Sequence, residues 1–155
     1  MARLRGKTAA HDKVTLAVFS SDRELRDQVR LALGDLLADD LPPVHLVDFA
    51  TAPALVDALG AGGYDCVILD AEATPLGGMG LSHQLRDEMP VTPPIVLLVA
   101  RQSDAWLATW AKADAVAQLP VDPVTLPEVV ADVIRASRAG LLDTGKLVPG
   151  AASRH

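Results

Sequence analysis

Five times along the chain, a short apolar run gives way to a segment whose apolar residues recur every three or four positions. Val14-Thr15-Leu16-Ala17-Val18-Phe19 predicts a first strand. Ser20-Ser21-Asp22 supplies a turn and a helix N-cap, and Leu25, Val29, Leu33, Leu36 and Leu37 then follow at helical spacing. Residues 39–43 break the chain before a second strand at 44–49. Thr51, with Pro53 in the first turn, opens a second helix to Leu59. A turn at 60–65 leads to a third strand, Cys66-Val67-Ile68-Leu69, which closes on Asp70. A third helix is expected from Gly80 or Leu81 to Glu88, and Pro90 with Pro93-Pro94 bounds the next connection. Residues 95–100 predict a fourth strand, Ser103 caps a fourth helix through Ala113, and 115–119 make a short fifth strand. Thr125 opens a last helix to about Arg138. Such alternation implies the α/β class, a doubly wound parallel sheet covered by helices on both faces. The expected organisation is an N-terminal tail at 1–13, one domain at 14–138 and a C-terminal extension at 139–155. The extension is apolar at Leu141, Leu142, Leu147 and Val148 but has no clean period.

Composition narrows the class. Half of the 155 residues are apolar and 22% are charged, which excludes a chain disordered throughout and allows a single core of good size. The apolar run 93–100 is too short to span a bilayer. The basic start (Arg3, Arg5, Lys7) is followed by no apolar h-region, so no secretory signal is expected. The lone Cys66 cannot form an internal disulfide, which fits a reducing cytoplasm. Charge is uneven: residues 14–136 hold seven basic and eighteen acidic side chains, whereas 1–13 carry four and one and 137–155 carry three and one. An acidic body disfavours nucleic acid as a partner. The basic tails are either solvated ends or contacts to an acidic protein or anionic lipid.

The candidate chemistry centres on Asp70. In open parallel sheets, ligands and reactions collect at the carboxyl ends of strands. A carboxylate there, followed by a glycine-rich loop over 72–80, is a candidate phosphoacceptor or metal ligand. The loop Gly77-Gly78-Met79-Gly80 lacks a phosphate-binding signature and is read as a turn needing positive φ. His11, His45, His83 and His155 are scattered without metal-ligand spacing, and no nucleophile–His constellation is evident.

Order, length and motif positions over roughly residues 13–138 resemble the receiver domain of two-component response regulators. The resemblance implies a flavodoxin-like sheet with strand order 2-1-3-4-5, and a single-domain receiver with no room for a DNA-binding effector. Working receivers use an acidic pair after the first strand to hold Mg²⁺ beside the phosphoacceptor Asp, because a hard dication needs several oxygens and phosphoryl transfer needs charge neutralisation. Here Ser20 and Ser21 occupy the acidic-pair positions and Asp70 matches the phosphoacceptor. The hydroxyl position after the fourth strand is Val99, the Lys position is Leu119 ahead of Pro120, and the aromatic switch position is Val116. The loop also departs from the family, with Pro75 one residue late and about two residues inserted. The resemblance further implies that the Leu119-Pro120 bond is cis.

Asp22, Asp70 and Glu72 are the weak candidates for a residual metal site. Glu72 either replaces a lost ligand or places a fixed negative charge where phosphate would sit. In the competing account, Asp70 is held by nearby backbone N–H groups or by Ser20 and Ser21. Trp106 and Trp110, two of five aromatics, stand four apart on the fourth helix. The face made by helix 4, strand 5 and helix 5 is where the family binds partners, so both are partner-binding candidates. Trp106 is expected to be mostly buried and Trp110 mostly exposed.

The reading is a non-enzymatic, phosphorylation-independent pseudo-receiver that acts as a protein-interaction module without a cofactor. Composition and loop resemble an atypical actinobacterial group, some of whose members are associated with respiratory complex I (NADH:quinone oxidoreductase). That resemblance implies a cytoplasmic protein, peripheral on the cytoplasmic face of the inner membrane. The alternative is a single-domain response regulator phosphorylated on Asp70 by a histidine kinase, with Mg²⁺ as cofactor.

Overall fold

The structure, a computed structural model, describes residues 12–73, 77–101 and 106–142. Five strands, β1 (Val14–Phe19), β2 (Val44–Phe49), β3 (Cys66–Asp70), β4 (Ile95–Val99) and β5 (Ala115–Gln118), alternate with five helices. These are α1 (Arg23–Leu33), α2 (Ala52–Ala61), α3 (Gly78–Glu88), α4 (Leu107–Ala111) and α5 (Thr125–Arg138). All strand pairs are parallel and the order is β2-β1-β3-β4-β5, the doubly wound arrangement implied by the sequence.

Side chains alternate across the strands and build two apolar layers. Val14, Leu16, Val18, Cys66, Ile68, Val96 and Leu98 meet Leu25, Val29 and Leu33 of α1 and Leu126, Val130 and Ile134 of α5. Ala17, Phe19, Val67, Leu69, Ile95, Leu97 and Val99 meet Leu55 and Leu59 of α2, Leu81 and Leu85 of α3, and Ala111 of α4. β3 and β4 are buried along their whole length, so their sequences are uniformly apolar up to Asp70. Fully burying each such Leu, Ile or Val contributes about 1.5–3 kcal/mol before chain entropy is charged against it.

Several element ends differ from expectation for local reasons. α1 stops at Leu33 because Gly34 turns at φ 60° and its N–H returns to Arg30 O; Leu37 stays buried on the following loop while Leu36 is exposed. α3 starts at Gly78, two or three residues earlier than the expected Gly80 or Leu81. α4 covers only Leu107–Ala111, and Lys112 ends it at φ 61°. Ser103, the expected cap, lies outside the described residues, as do Thr144 and the rest of 143–155. α5 begins at Thr125, yet its cap is Asp122, whose Oδ1 accepts from Val124 N (2.7 Å) and Thr125 N (3.0 Å). The Leu119-Pro120 peptide is cis. Beyond α5, Leu142 packs against the α1/α5 layer, so the extension begins on the core.

Candidate functional site

Register places the site. Val18 pairs with Ile68 and Phe19 with Leu69, so Ser20 follows β1 beside Asp70 at the end of β3. On the other side Asp70 is level with Leu98 of β4, whose carbonyl accepts from Ala71 N at 2.9 Å. Asp70 is 3% exposed and Ser20 is fully buried. A carboxylate at this depth needs hydrogen-bond partners. Ser20 Oγ donates to Asp70 Oδ2 at 2.7 Å, and Glu72 N donates to Asp70 Oδ1 at 2.8 Å. Ser20 Oγ in turn accepts from Asp22 N at 2.9 Å.

The three carboxylates do not converge. Asp22 turns its Oδ1 to Glu24 N (2.9 Å) as the N-cap of α1. Glu72 brings its backbone N–H to Asp70 and leaves its side chain exposed. No group of three His, Cys, Asp or Glu among the described residues is arranged to hold a metal ion. Mg²⁺ needs near-octahedral oxygen ligands, usually with carboxylates directly on the ion. Among the described residues, one carboxylate whose two oxygens already accept hydrogen bonds does not supply that donor set.

The positions that the resemblance assigns to a hydroxyl, an aromatic and a lysine are apolar and belong to the core layers. Val99 is buried in the α2/α3 layer, and Val116 packs against the same layer from β5. Leu119 packs against the opposite layer, and its N–H donates to Val99 O at 2.8 Å. No cation stands at either position. Ser21 is exposed on the rim.

The loop glycines have a different role from the one expected. Gly77 has φ −75°, and neither Gly77 nor Gly78 occupies the positive-φ region. What they provide is closeness: a Cβ on Gly77 would lie 2.5 Å from Ala71 O, and one on Gly78 would lie 2.8 Å from Asp70 O. The chain therefore passes directly over the backbone of Asp70, which brings the start of α3 into the site. Residues 74–76, with Pro75, lie outside the described part.

Both tryptophans are exposed, Trp106 at 71% and Trp110 at 55%. The expected burial of Trp106 is therefore corrected: it stands at the entry to α4, and Thr109 N donates back to its carbonyl at 3.3 Å. α4 is too short to carry both indoles along one packed face. His83 was missed as a contributor, since a lone His at helical spacing carries no signal in sequence. Its ring stacks on Trp110 with centroids 4.4 Å apart and planes 24° apart. His83 Nδ1 lies 3.2 Å from Asp87 Oδ2, and Lys112 Nζ donates to Asp87 Oδ1 at 3.0 Å. That Lys112 bond, with the nearby charges, holds the Asp87 carboxyl below its usual range.

The chain is 44% identical over 121 residues to an uncharacterized response regulatory protein of Mycobacterium tuberculosis, in strains CDC 1551 / Oshkosh and H37Rv alike; the match covers 78% of this chain and 91% of that protein. This chain belongs to the response regulator family. No family model matches it. Its receiver fold is shared with the Francisella response regulator 1452 receiver domain (TM-score 0.67, 14% identity, 79% of this chain and 98% of that one). A response regulator receiver domain protein from Clostridium thermocellum is similar at TM-score 0.66, 15% identity, with 81% and 98% covered. In this receiver, Asp70 sits where an open parallel sheet collects its chemistry, with Ser20 Oγ and Glu72 N donating to its two oxygens. No helix among the described residues is long and apolar enough to cross a membrane.

Proposed function

We propose that this receiver works as a protein-interaction module whose activity does not depend on phosphorylation of Asp70. The observation that carries the reading is the hydrogen bond from Ser20 Oγ to Asp70 Oδ2 at 2.7 Å, made from a position where receivers that bind Mg²⁺ carry an acid. With Glu72 N on the other oxygen, the carboxylate is satisfied without a metal. Val99, Val116 and Leu119 supply neither a hydroxyl, nor an aromatic switch, nor an ammonium. A phosphoryl group on Asp70 would, on this reading, lack the ammonium that balances it and the hydroxyl–aromatic couple that reports it at these three positions. On this reading Asp70 is a structural group, the protein is not an enzyme, and it needs no cofactor.

The partner that the resemblance nominates is respiratory complex I, with this chain as an accessory subunit on its cytoplasmic side, carrying no redox centre. Trp106 and Trp110 are the contact candidates. One observation favours the alternative, phosphorylation by a histidine kinase: the carboxylate of Asp70 is retained at the carboxyl end of β3.

Titration of the ¹⁵N-labelled chain with Mg²⁺ and beryllofluoride tests the first claim. The amides of Asp70, Ala71 and Glu72 are expected to stay unmoved at millimolar Mg²⁺, and a stable beryllofluoride adduct overturns it. Tagged recovery from gently solubilised membranes tests the second. Stoichiometric complex I subunits support it, whereas a histidine kinase or phosphotransfer protein alone supports the alternative.

A further inference from the structure

The residues Ser82, His83, Arg86 and Asp87 form one stripe of α3, and each of them touches α4 or the residue just after it. Ser82 Oγ donates to Ala111 O at 2.7 Å within the buried layer. Arg86 Nε donates to Lys112 O at 2.9 Å, and its other nitrogens reach Thr92 Oγ1 and Asp114 Oδ2. Asp114 Oδ2 also accepts from Ile95 N at 2.8 Å, which ties the cluster to the start of β4. A five-residue helix has little stability of its own. These contacts satisfy its last carbonyls and fix its position against α3.

The consequence falls on Trp110. With the two residues that follow it anchored by Ser82 and Arg86 and one ring face against His83, the indole is held in place while half of its surface stays open to solvent. An exposed aromatic held this way loses little entropy on binding, as an interface anchor requires. Two features point to the charge of its partner. The open face of an indole attracts a cation through its quadrupole. The body around it is strongly acidic, with eighteen acidic against seven basic residues over 14–136; on the same helix end Glu88 adds a carboxylate, while Asp87 is already paired with Lys112. Anionic lipid, the other surface that takes up exposed tryptophan, would be repelled by that field.

We propose that the α3–α4 edge is a pre-formed docking surface for a protein segment that presents an arginine or lysine cation to the open face of Trp110. This rests on the interaction-module reading, but it is independent of Asp70, so the two can fail separately. Trp106, at the entry to α4, is also exposed.

The test uses the full chain and a fluorescein-labelled decapeptide of alternating Arg and Ala, read by anisotropy at 50 and 150 mM salt. Controls are an Asp–Ala decapeptide and vesicles containing one-third phosphatidylglycerol. Saturable binding of the Arg peptide alone is expected. Trp110→Leu, which keeps apolar area but removes the π face, is expected to weaken it about fivefold, and Trp110→Phe less. Circular dichroism checks that each variant is folded. An unchanged affinity in Trp110→Leu would mean that the acidic body alone attracts the peptide, and would overturn the proposal. Tighter partitioning to the vesicles than to the peptide would overturn it in favour of a lipid surface. Asp70→Ala, folded by the same criterion, is expected to bind as the parent chain does; a loss there ties docking to the Asp70 site and defeats the claim of independence.

Discussion

Ser20 Oγ lies 2.7 Å from Asp70 Oδ2, and the two residues are held level by the parallel register of β1 and β3. A second carboxylate at this point would be repelled by Asp70 unless a cation bridged the two, whereas the hydroxyl donates to it. A Ser at this point gives the Asp70 carboxylate a hydrogen-bond donor rather than a second acid.

Removing that hydroxyl exposes its worth. Ser20→Ala leaves Asp70 Oδ2 buried without its donor and strips Asp22 N of its acceptor. The expected loss is about 1–3 kcal/mol by urea unfolding. A loss below about 0.5 kcal/mol would mean that water replaces the hydroxyl at little cost.

The ion pair of Arg86 with Asp114 is nearly buried and joins α3 to the start of β5. Arg86→Met is expected to cost about 3–5 kcal/mol at neutral pH, because it leaves the Asp114 carboxylate buried without its cation. Burial already pushes the Asp114 carboxyl up, against the lowering effect of Arg86. A carboxyl whose folded pKa is raised favours the folded state most when protonated, and that contribution is lost as pH rises through the folded value. The deficit of Arg86→Met should therefore shrink in acid and widen toward neutrality, and parallel urea curves at pH 4 and pH 7 read this directly.

Two glycine substitutions should act in opposite directions. Gly78→Ala drives a Cβ to within 2.9 Å of Leu69 Cβ and 2.8 Å of Asp70 O, and overpacking of this kind costs about 1–3 kcal/mol. Gly60, near the end of α2, meets nothing within 4 Å, so Gly60→Ala should stabilise by up to about 1 kcal/mol through helix propensity. Thermal midpoints that move the same way for both would show that the close approach at Gly78 can relax.

The start of α5 carries a pH-dependent term. Hydrogen bonds from Thr125 N and Val124 N hold the Asp122 carboxyl below its usual range. A depressed carboxylate contributes stability above the unfolded pKa and loses it as pH falls through the folded one. Asp122→Ala should be less stable than the parent chain at pH 6, and the gap should close toward pH 2. A gap constant with pH would place the effect in backbone geometry rather than in charge.

β3 and β4 were legible because they are buried on both faces. Cys66-Val67-Ile68-Leu69 can only be an inner strand of a parallel sheet, and Asp70 at its end marks the edge where chemistry collects. The capping signals at Asp22 and Thr51 were equally plain, since they act within three residues of their targets. α4 was not legible. Its extent is set by Ser82 and Arg86 on α3, some 26 to 29 residues away along the chain, and by the φ 61° turn at Lys112. Local propensity carries no trace of such partners.

The sequence by itself therefore determined the family and the alternation of elements, because residue type and spacing are local properties. Only the tertiary structure decided that Ser20 bonds Asp70, that Asp22 and Glu72 turn away, that Gly77 and Gly78 serve close approach, and that Trp106 and Trp110 are both exposed. Each of these depends on which atoms of distant segments share a volume. That is fixed by register and packing across the sheet, where a half-turn of a helix or a one-residue shift moves a side chain from core to solvent.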